Sequence, residues 1–261
     1  MPLMPALVSV MVKAAEAAAR SLNRDFGEVE QLQVSVKGPS NFVTAADKKA
    51  EETIHYHLSK ARPGWGFLME EGGEIEGEDG KGRFIIDPLD GTHNFLHGIP
   101  HWCISIAAEE NGEIVAGVIY DSIRNETFWA GKGTGAFVGN RKIRVSGRKD
   151  LGSAMISTSL MHKGRGNHEE FSADLVKFMK EAADVRALHS GALDMAYVAA
   201  GRLEGFWTRS IKPWDVAAGV LLVRESGGIV SEVDGGKDPV YGGTILASNG
   251  LLHQDIKNLL S

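Results

Sequence analysis

A chain of 261 residues with 43% hydrophobic content can build one large domain or two small ones around a sizeable core. Its 34 acidic and 28 basic side chains give a formal charge of -6 without a Lys/Arg-rich run, which argues against a nucleic-acid partner. The single cysteine, Cys103, excludes an intramolecular disulfide and is typical of a reducing compartment. No segment approaches the ~20 apolar residues that cross a bilayer, so we expect a cytoplasmic protein without a membrane partner.

Two helical patterns occupy the first part of the chain. An amphipathic helix is predicted near the amino terminus, and a second from about Asp47 to Ala61, which places Asp47 in a first helical turn. The acidic, glycine-rich segment 73–82 is predicted to be a loop. It separates the sequence MEE at 69–71 from the apolar strand RFII at 83–86.

The remaining chain changes character twice. From Trp102 to Val145 short apolar runs are joined by turn residues, and the pair Asn111-Gly112 is a strong hairpin signal, so we predict an antiparallel meander. Beyond residue 150 strand and helix patterns alternate. The sequence therefore predicts an α/β (α+β) fold in two parts, 1–146 and 147–261, with both parts contributing to one site.

The sequence DPLDGTHNF, at 87–95, follows a strand and sets two carboxylates three residues apart. Unpaired carboxylates that share a cleft repel each other, so Asp87 and Asp90 require a proton or a cation between them. Pro88 fixes φ, and the Leu89 carbonyl adds a further oxygen ligand, a set that suits Mg²⁺ or Mn²⁺ better than zinc. If Gly91 and Thr92 open a helix, their amides face an incoming anion, which together with a metal makes a phosphate site.

A plain turn explains DPLDG equally well when the motif is taken alone, since Asp-Pro and Asp-Gly pairs are common in surface turns. Other carboxylates favour the metal site. Glu70 and Glu71 follow the apolar run WGFLM, and Asp215 follows Trp214 at the start of a predicted helix. Each of these also has a structural explanation, because acidic residues favour first helical turns and solvated faces.

The sequence resembles the inositol monophosphatase family over nearly its whole length. The resemblance rests on MEE at 69–71, DPLDGTHNF at 87–95 and WDVAAG at 214–219, in order and at the expected spacing. It is supported by KGPSNFVTAAD at 37–47 and ALDMAYVAAGRLEG at 192–205. The resemblance implies a layered αβαβα sandwich. It also implies a homodimer, as is usual in the family, and inhibition by lithium.

The resemblance also implies a role for each matching residue. Glu70, Asp87 and the Leu89 carbonyl match the ligands of a first metal, and Asp87, Asp90 and Asp215 match those of a second. Glu70 also matches a contact of a weaker third metal. Asp47 and Thr92 match the pair that orients and deprotonates the attacking water, and the Gly91 and Thr92 amides match the phosphate-binding groups. Two or three Mg²⁺ ions, with Mn²⁺ possible, are therefore the expected cofactors.

Three departures fall where the family binds the alcohol half of its substrate. The sequence reads HSGALD at 189–194 where members commonly read GSAALD, which makes His189 either a packed polar residue or a substrate contact, beside the expected contact Gly191. Thr208 replaces a glutamate seven residues before Asp215, and Asn41 replaces an aspartate. Arg209 either binds a second phosphate of the substrate or faces solvent or pairs with Glu204.

These residues lead to one main prediction and two alternatives. We expect a Mg²⁺-dependent phosphomonoesterase that hydrolyses a small sugar or polyol phosphate, such as inositol 1-phosphate, by metal-activated water. The first alternative is a bisphosphate phosphatase for fructose 1,6-bisphosphate or a 3',5'-bisphosphorylated nucleoside that uses Arg209. The second is a regulatory protein that retains the fold and the metal site.

Overall fold

The computed structural model describes residues 4–28, 34–36, 42–78, 82–161 and 166–261. The helices are α1 (Ala6–Phe26), α2 (Ala45–Ala61), α3 (Thr92–Leu96), α4 (His168–Glu181), α5 (Gly191–Ala199), α6 (Pro213–Glu225) and α7 (His253–Leu260). The first ten strands are β1 (Val34–Val36), β2 (Phe42–Thr44), β3 (Gly66–Met69), β4 (Gly73–Ile75), β5 (Gly82–Asp90), β6 (Cys103–Glu110), β7 (Glu113–Asp121), β8 (Glu126–Gly131), β9 (Gly135–Val138) and β10 (Arg141–Lys142). The last five are β11 (Met155–Thr158), β12 (Asp184–Arg186), β13 (Gly205–Thr208), β14 (Ile229–Ser231) and β15 (Ile245–Ser248).

The larger sheet has eight strands in the order β10-β9-β8-β7-β6-β5-β3-β4. The strands from β5 to β10 are antiparallel neighbours in sequence, which confirms the predicted meander. The hairpin between β6 and β7 turns at Asn111 and Gly112, both with positive φ as that tight turn requires. β3 pairs with β5 in parallel, so both strands end at the same edge of the sheet.

The smaller sheet has five strands in the order β12-β11-β13-β15-β14. β11 is parallel to β12 and to β13, as expected where helices connect the strands, whereas β15 runs antiparallel to both of its neighbours. The predicted alternation of strands and helices beyond residue 150 is confirmed.

Side chains alternate between the two faces of each strand, so the sheets separate three hydrophobic cores within five layers. Phe84 and Ile86 face one way and pack with α1 and α2, while Ile85 faces α5 and α6. In the smaller sheet Phe206 belongs to this central core, and Trp207 packs on the other side with α4 and α7. The order is helices, sheet, helices, sheet, helices, so the predicted αβαβα sandwich is confirmed.

The prediction of a continuous loop at 73–82 was wrong at its start. Residues Gly73–Ile75 form β4, which pairs with β3 at the edge of the larger sheet, while 79–81 lie outside the described residues. The hairpin of β1 and β2 was not predicted. Asn41 lies outside the described residues.

The eight-stranded and the five-stranded sheets take their strands from opposite sides of the segment between β10 and β11. The division into 1–146 and 147–261 stays a prediction, because the central core joins side chains from both parts. Within the described ranges, none of the helices combines the length and the apolar character needed to cross a membrane.

Candidate metal and phosphate site

The carboxylates of Asp87 and Asp90 stand at the irregular end of β5. The pairing of β5 with β6 shifts register between these two residues, where Pro88 has no amide proton to give to a neighbouring strand. The amide of Leu89 donates a hydrogen bond of 2.9 Å to Asp87 Oδ1, which fixes that carboxylate in the turn. Both aspartates therefore leave the strand on a short, constrained backbone.

Gly91 connects this strand end to α3 and has a left-handed backbone with φ 100°. A Cβ at this position would lie 3.0 Å from the carbonyl oxygen of His101 and 3.2 Å from the Cα of Trp102. Only glycine fits both the conformation and the space. The Thr92 hydroxyl donates 3.0 Å to the Leu89 carbonyl, which leaves that oxygen a second lone pair for a ligand.

Asp215 reaches the same place from the other part of the chain. It lies in the first turn of α6, where Pro213 starts the helix and the Lys212 amide donates 3.0 Å to Asp215 Oδ2. The Ser105 hydroxyl on β6 donates 3.2 Å to the Trp214 carbonyl and ties the helix start to the sheet. As a result, Asp87, Asp90 and Asp215 each present a carboxylate oxygen within 4.8 Å of the others.

Glu70 and Asp47 lie beside this group. Glu70 follows β3, its amide donates 3.2 Å to the Ile86 carbonyl, and its side chain shares a hydrogen bond with Asp87. Asp47 is buried in the first turn of α2, as predicted, and its negative charge acts on Glu70. The next residue, Glu71, is tied through its amide to Glu51 Oε2 on α2 at 2.9 Å.

The clustered carboxylates resist ionisation. Burial, followed by the charges of Asp47 and Glu71, raises the pKa of Glu70 to about 7. Burial and then Asp215 raise the pKa of Asp90 to about 7, although hydrogen bonds from Ser190 and the α5 amides oppose this. The pKa of Asp87 is raised well above its usual range by burial and by the three neighbouring acids.

This donor set fits a hard divalent cation. The side chains offer carboxylate oxygens, the Leu89 carbonyl adds a neutral oxygen, and such oxygen ligation is what Mg²⁺ and Mn²⁺ prefer. A cation between the aspartates would offset the repulsion that raises their pKa values. The residues present therefore suit the metals that the sequence predicts.

A cavity of about 470 Å³ opens above the cluster. Glu70, Asp87, Asp90 and Asp215 line its acidic floor together with Leu89, Gly91 and Thr92. Its walls include His93, His97, His189, Gly191, Thr208, Ser210 and Lys212. The cavity thus brings together the expected metal ligands, the start of α3 and two expected substrate contacts, Gly191 and Thr208.

Arg209 does not line this cavity, and the alternative in which it pairs with Glu204 is wrong. Its Nε donates 2.6 Å to Asp174 Oδ2, its Nη1 pairs with Glu170 at 2.9 Å, and its Nη2 donates 2.6 Å to the Leu260 carbonyl. Glu204 instead accepts from Arg148 and from the Met155 amide. Thr208 points to the cavity, and because side chains alternate along an extended chain, Arg209 is directed toward α4.

Sequence reasoning missed the contacts that hold Asp90. The Ser190 hydroxyl donates 2.7 Å and the Ala192 amide 2.8 Å to Asp90 Oδ2, and the Cys103 thiol lies 3.8 Å from the same atom. The start of α5 therefore fixes the position of the Asp90 carboxylate, which lies a hundred positions earlier in the sequence. The only signal in the sequence was the serine before the helix pattern, an ordinary N-cap residue.

Layered α and β elements around a carboxylate cluster that could hold a metal ion, at the start of a helix, fit the class of metal-dependent phosphatases. The chain belongs to the inositol monophosphatase family, whose sequence profile matches residues 4–260.

Three relatives illustrate the range of the family. The inositol-1-monophosphatase of Mesorhizobium japonicum is 54% identical over 249 residues, covering 95% of this chain and 94% of its own. The Nus factor SuhB of Vibrio cholerae is 40% identical and covers 93% of this chain and 91% of its own. The crystal structure of the extragenic suppressor protein suhB from Bartonella henselae superposes with a TM-score of 0.96 at 50% identity, over 98% of this chain and 99% of that one.

Proposed function

We propose that this protein is a Mg²⁺-dependent phosphomonoesterase that hydrolyses a small polyol or sugar phosphate such as inositol 1-phosphate. The observation that carries the proposal is the convergence of Asp87, Asp90 and Asp215 oxygens within 4.8 Å on the floor of a cavity. At about 470 Å³ that cavity has room for a phosphorylated sugar or cyclitol. The similarity to named inositol-1-monophosphatases supports the same substrate class.

In this proposal Glu70, Asp87 and the Leu89 carbonyl hold one cation, and Asp87, Asp90 and Asp215 hold a second. Glu70 also contacts a third, weaker cation, and Mn²⁺ is an alternative to Mg²⁺. Bound cations polarise the phosphoryl oxygens, acidify a bound water and neutralise the leaving alkoxide. The protein therefore has to position these ligands and to keep them deprotonated.

The other residues position water and phosphate. The amides of Gly91 and Thr92, at the start of α3, hold the phosphoryl oxygens. Asp47 and Thr92 orient the attacking water, and Asp47, buried beside Glu70, takes its proton. Attack in line with the leaving alkoxide then needs no covalent enzyme intermediate.

The substrate pocket favours a monophosphate over a bisphosphate. A second phosphate on Arg209 would require the guanidinium to leave Asp174 and Glu170, with which it forms charge-assisted contacts. Gly191 and Thr208 stay in the proposed pocket for the alcohol half. We further expect a homodimer and lithium inhibition, which rest on the family resemblance, and a cytoplasmic location, with which the single free cysteine, Cys103, is consistent.

Phosphate release from a panel of substrates tests the proposal. Inositol 1-phosphate, 2-glycerophosphate, fructose 1,6-bisphosphate and adenosine 3',5'-bisphosphate are incubated with Mg²⁺, with and without lithium. We expect turnover of the monophosphates, and a loss of at least about 100-fold in kcat/KM for Asp90→Asn, which removes a ligand and its charge. Glu113→Gln is the control, because it also replaces a carboxylate by an amide, in an exposed ion pair with Lys132. Its kcat/KM should match that of the wild type. Absence of Mg²⁺-dependent release from every substrate would refute the proposal.

The similarity to Nus factors favours one alternative, a regulatory protein that acts by binding another macromolecule. The two functions differ in what Asp90→Asn changes. A regulatory role predicts negligible turnover in the wild type and a specific partner whose binding survives Asp90→Asn. Wild-type turnover that this substitution abolishes supports the phosphatase.

A further inference from the structure

His189 stands in the cavity wall on a backbone that is tied to the metal site. The next residue, Ser190, donates its hydroxyl to Asp90 Oδ2 at 2.7 Å, and two positions further on the Ala192 amide donates to the same oxygen. His189 and Gly191 both line the cavity. The backbone that carries the imidazole is therefore tied to a carboxylate on the cavity floor.

The backbone of His189 has a positive φ, a conformation that is uncommon outside glycine. Three described residues other than glycine have a left-handed backbone, namely Asn111, Asn125 and His189. Residues other than glycine seldom adopt this conformation, although asparagine and histidine do so more often than most. Glycine would adopt φ 59° at no cost. Strain of this kind gathers where a side chain is needed at one particular place.

The chemistry of the wall suits hydroxyl groups. His189 lies near His93, and burial together with that imidazole lowers the pKa of His189. A neutral imidazole offers one donor and one acceptor, which matches an alcohol better than a second phosphate. The structure records no hydrogen bond between the His189 ring and the described part of the protein, so its polar atoms are available to a ligand.

We propose that His189 is a specificity-determining residue that hydrogen-bonds a hydroxyl group on the alcohol half of a polyol phosphate. The inference rests on the proposed phosphatase function and assigns one side chain to the recognition of its substrate. Arg209, by contrast, is not assigned to substrate recognition, because its guanidinium pairs with Asp174 of α4.

Steady-state kinetics of two variants test the assignment. His189→Gly keeps the left-handed backbone and removes the ring, and His189→Asn keeps the backbone with a shorter donor and acceptor. The probes are inositol 1-phosphate and p-nitrophenyl phosphate, whose alcohol half carries no further hydroxyl. For His189→Gly we expect KM for inositol 1-phosphate to rise about tenfold with a much smaller change in kcat, the signature of a lost ground-state hydrogen bond. The ratio of kcat/KM between the two probes should fall by a similar factor, and His189→Asn should restore part of it.

Asn111→Gly is the matched control, because it relieves the same backbone conformation in a hairpin turn far along the sheet and should keep wild-type kinetics with both probes. If His189→Gly leaves the ratio of kcat/KM between the two probes unchanged, including by an equal loss with both, the role of His189 is overturned. The proposed phosphatase function would stand in that case, because the wild type is still active. A wild type that hydrolyses neither probe overturns the proposed function and this inference together.

Discussion

Asp194 is a buried acid that the proposed chemistry does not use. It lies on α5, is fully buried, and has no hydrogen bond of good geometry to either carboxylate oxygen within the described residues. Burial, and then the charge of Asp90, raise the pKa of Asp194 well above its usual range, while the nearby Ser157 hydroxyl only partly opposes this. Folding therefore favours the protonated form of this side chain.

Asp194→Asn should stabilise the metal-free protein more at pH 8 than at pH 5. An acid whose pKa is raised by folding costs stability progressively as pH rises above its unfolded value near 3.8, and the amide removes that cost. We expect a gain of about 1–3 kcal/mol in the free energy of unfolding at pH 8, measured by urea unfolding in EDTA. Asp184→Asn, at a partly exposed pair with Arg186, should show little change at either pH. An equal loss of stability at both pH values for Asp194→Asn would mean that the carboxylate is charged and paired.

The residues of the site differ in how far the sequence reveals them. Asp87 and Asp90 can be predicted because they lie close together in a motif of turn-forming residues after an apolar strand. Ser190 and Asp194 cannot, because their roles depend on α5 packing against a strand end that lies a hundred positions away. A buried acid and a surface acid look the same in a single sequence.

At the scale of elements, the long periodic segments were predictable and the short ones were not. The helices of the second part and the β6-β7 hairpin have clear periodicity or turn residues. β4 has three residues, all exposed, so no apolar alternation marks it, and it exists as a strand through its pairing with β3. Short edge strands of this kind are defined by their neighbours.

Gly91→Ala tests how far the joint between β5 and α3 controls the site. The substitution combines a left-handed backbone with contacts of 3.0 Å and 3.2 Å to the His101 and Trp102 backbone, neither of which can rotate away. We expect a loss of about 2–4 kcal/mol in unfolding free energy and more than about tenfold in kcat/KM. Gly112→Ala is the control. Gly112 has a similar φ of 77°, but an added Cβ would meet no atom within 4 Å. Its expected loss of about 1 kcal/mol in unfolding free energy is therefore the cost of the backbone conformation alone. If Gly91→Ala and Gly112→Ala lower the unfolding free energy equally, and Gly91→Ala keeps the wild-type kcat/KM, the backbone between β5 and α3 can move to accept the new methyl group.

At the scale of the whole molecule, the site depends on how closely α6 approaches the larger sheet. A Cβ on Gly117, in β7, would lie 2.9 Å from the Ala218 carbonyl oxygen and 3.1 Å from its Cα. On the other side of the helix, a Cβ on Gly219 would lie 2.7 Å from the Met195 side chain of α5. Small residues thus let α6 lie between a sheet and a helix, and Asp215 stands one turn before Ala218. We therefore expect the distance of Asp215 from Asp87 and Asp90 to depend on packing across the two parts of the chain.

Gly117→Ala should displace α6 and weaken metal binding through Asp215. The new methyl group meets helix backbone, so we expect a loss of about 1–3 kcal/mol in unfolding free energy and about a tenfold rise in the Mg²⁺ concentration that gives half-maximal thermal stabilisation. Thermal unfolding across a Mg²⁺ titration measures both. Ile156→Val, in the separate core under α4 and α7, should cost about 0.5–1.5 kcal/mol without changing the Mg²⁺ dependence. If Gly117→Ala destabilises the protein but keeps the wild-type Mg²⁺ dependence, the position of Asp215 is fixed locally, by Pro213 and the Lys212 amide, rather than by the packing of α6 on the sheet.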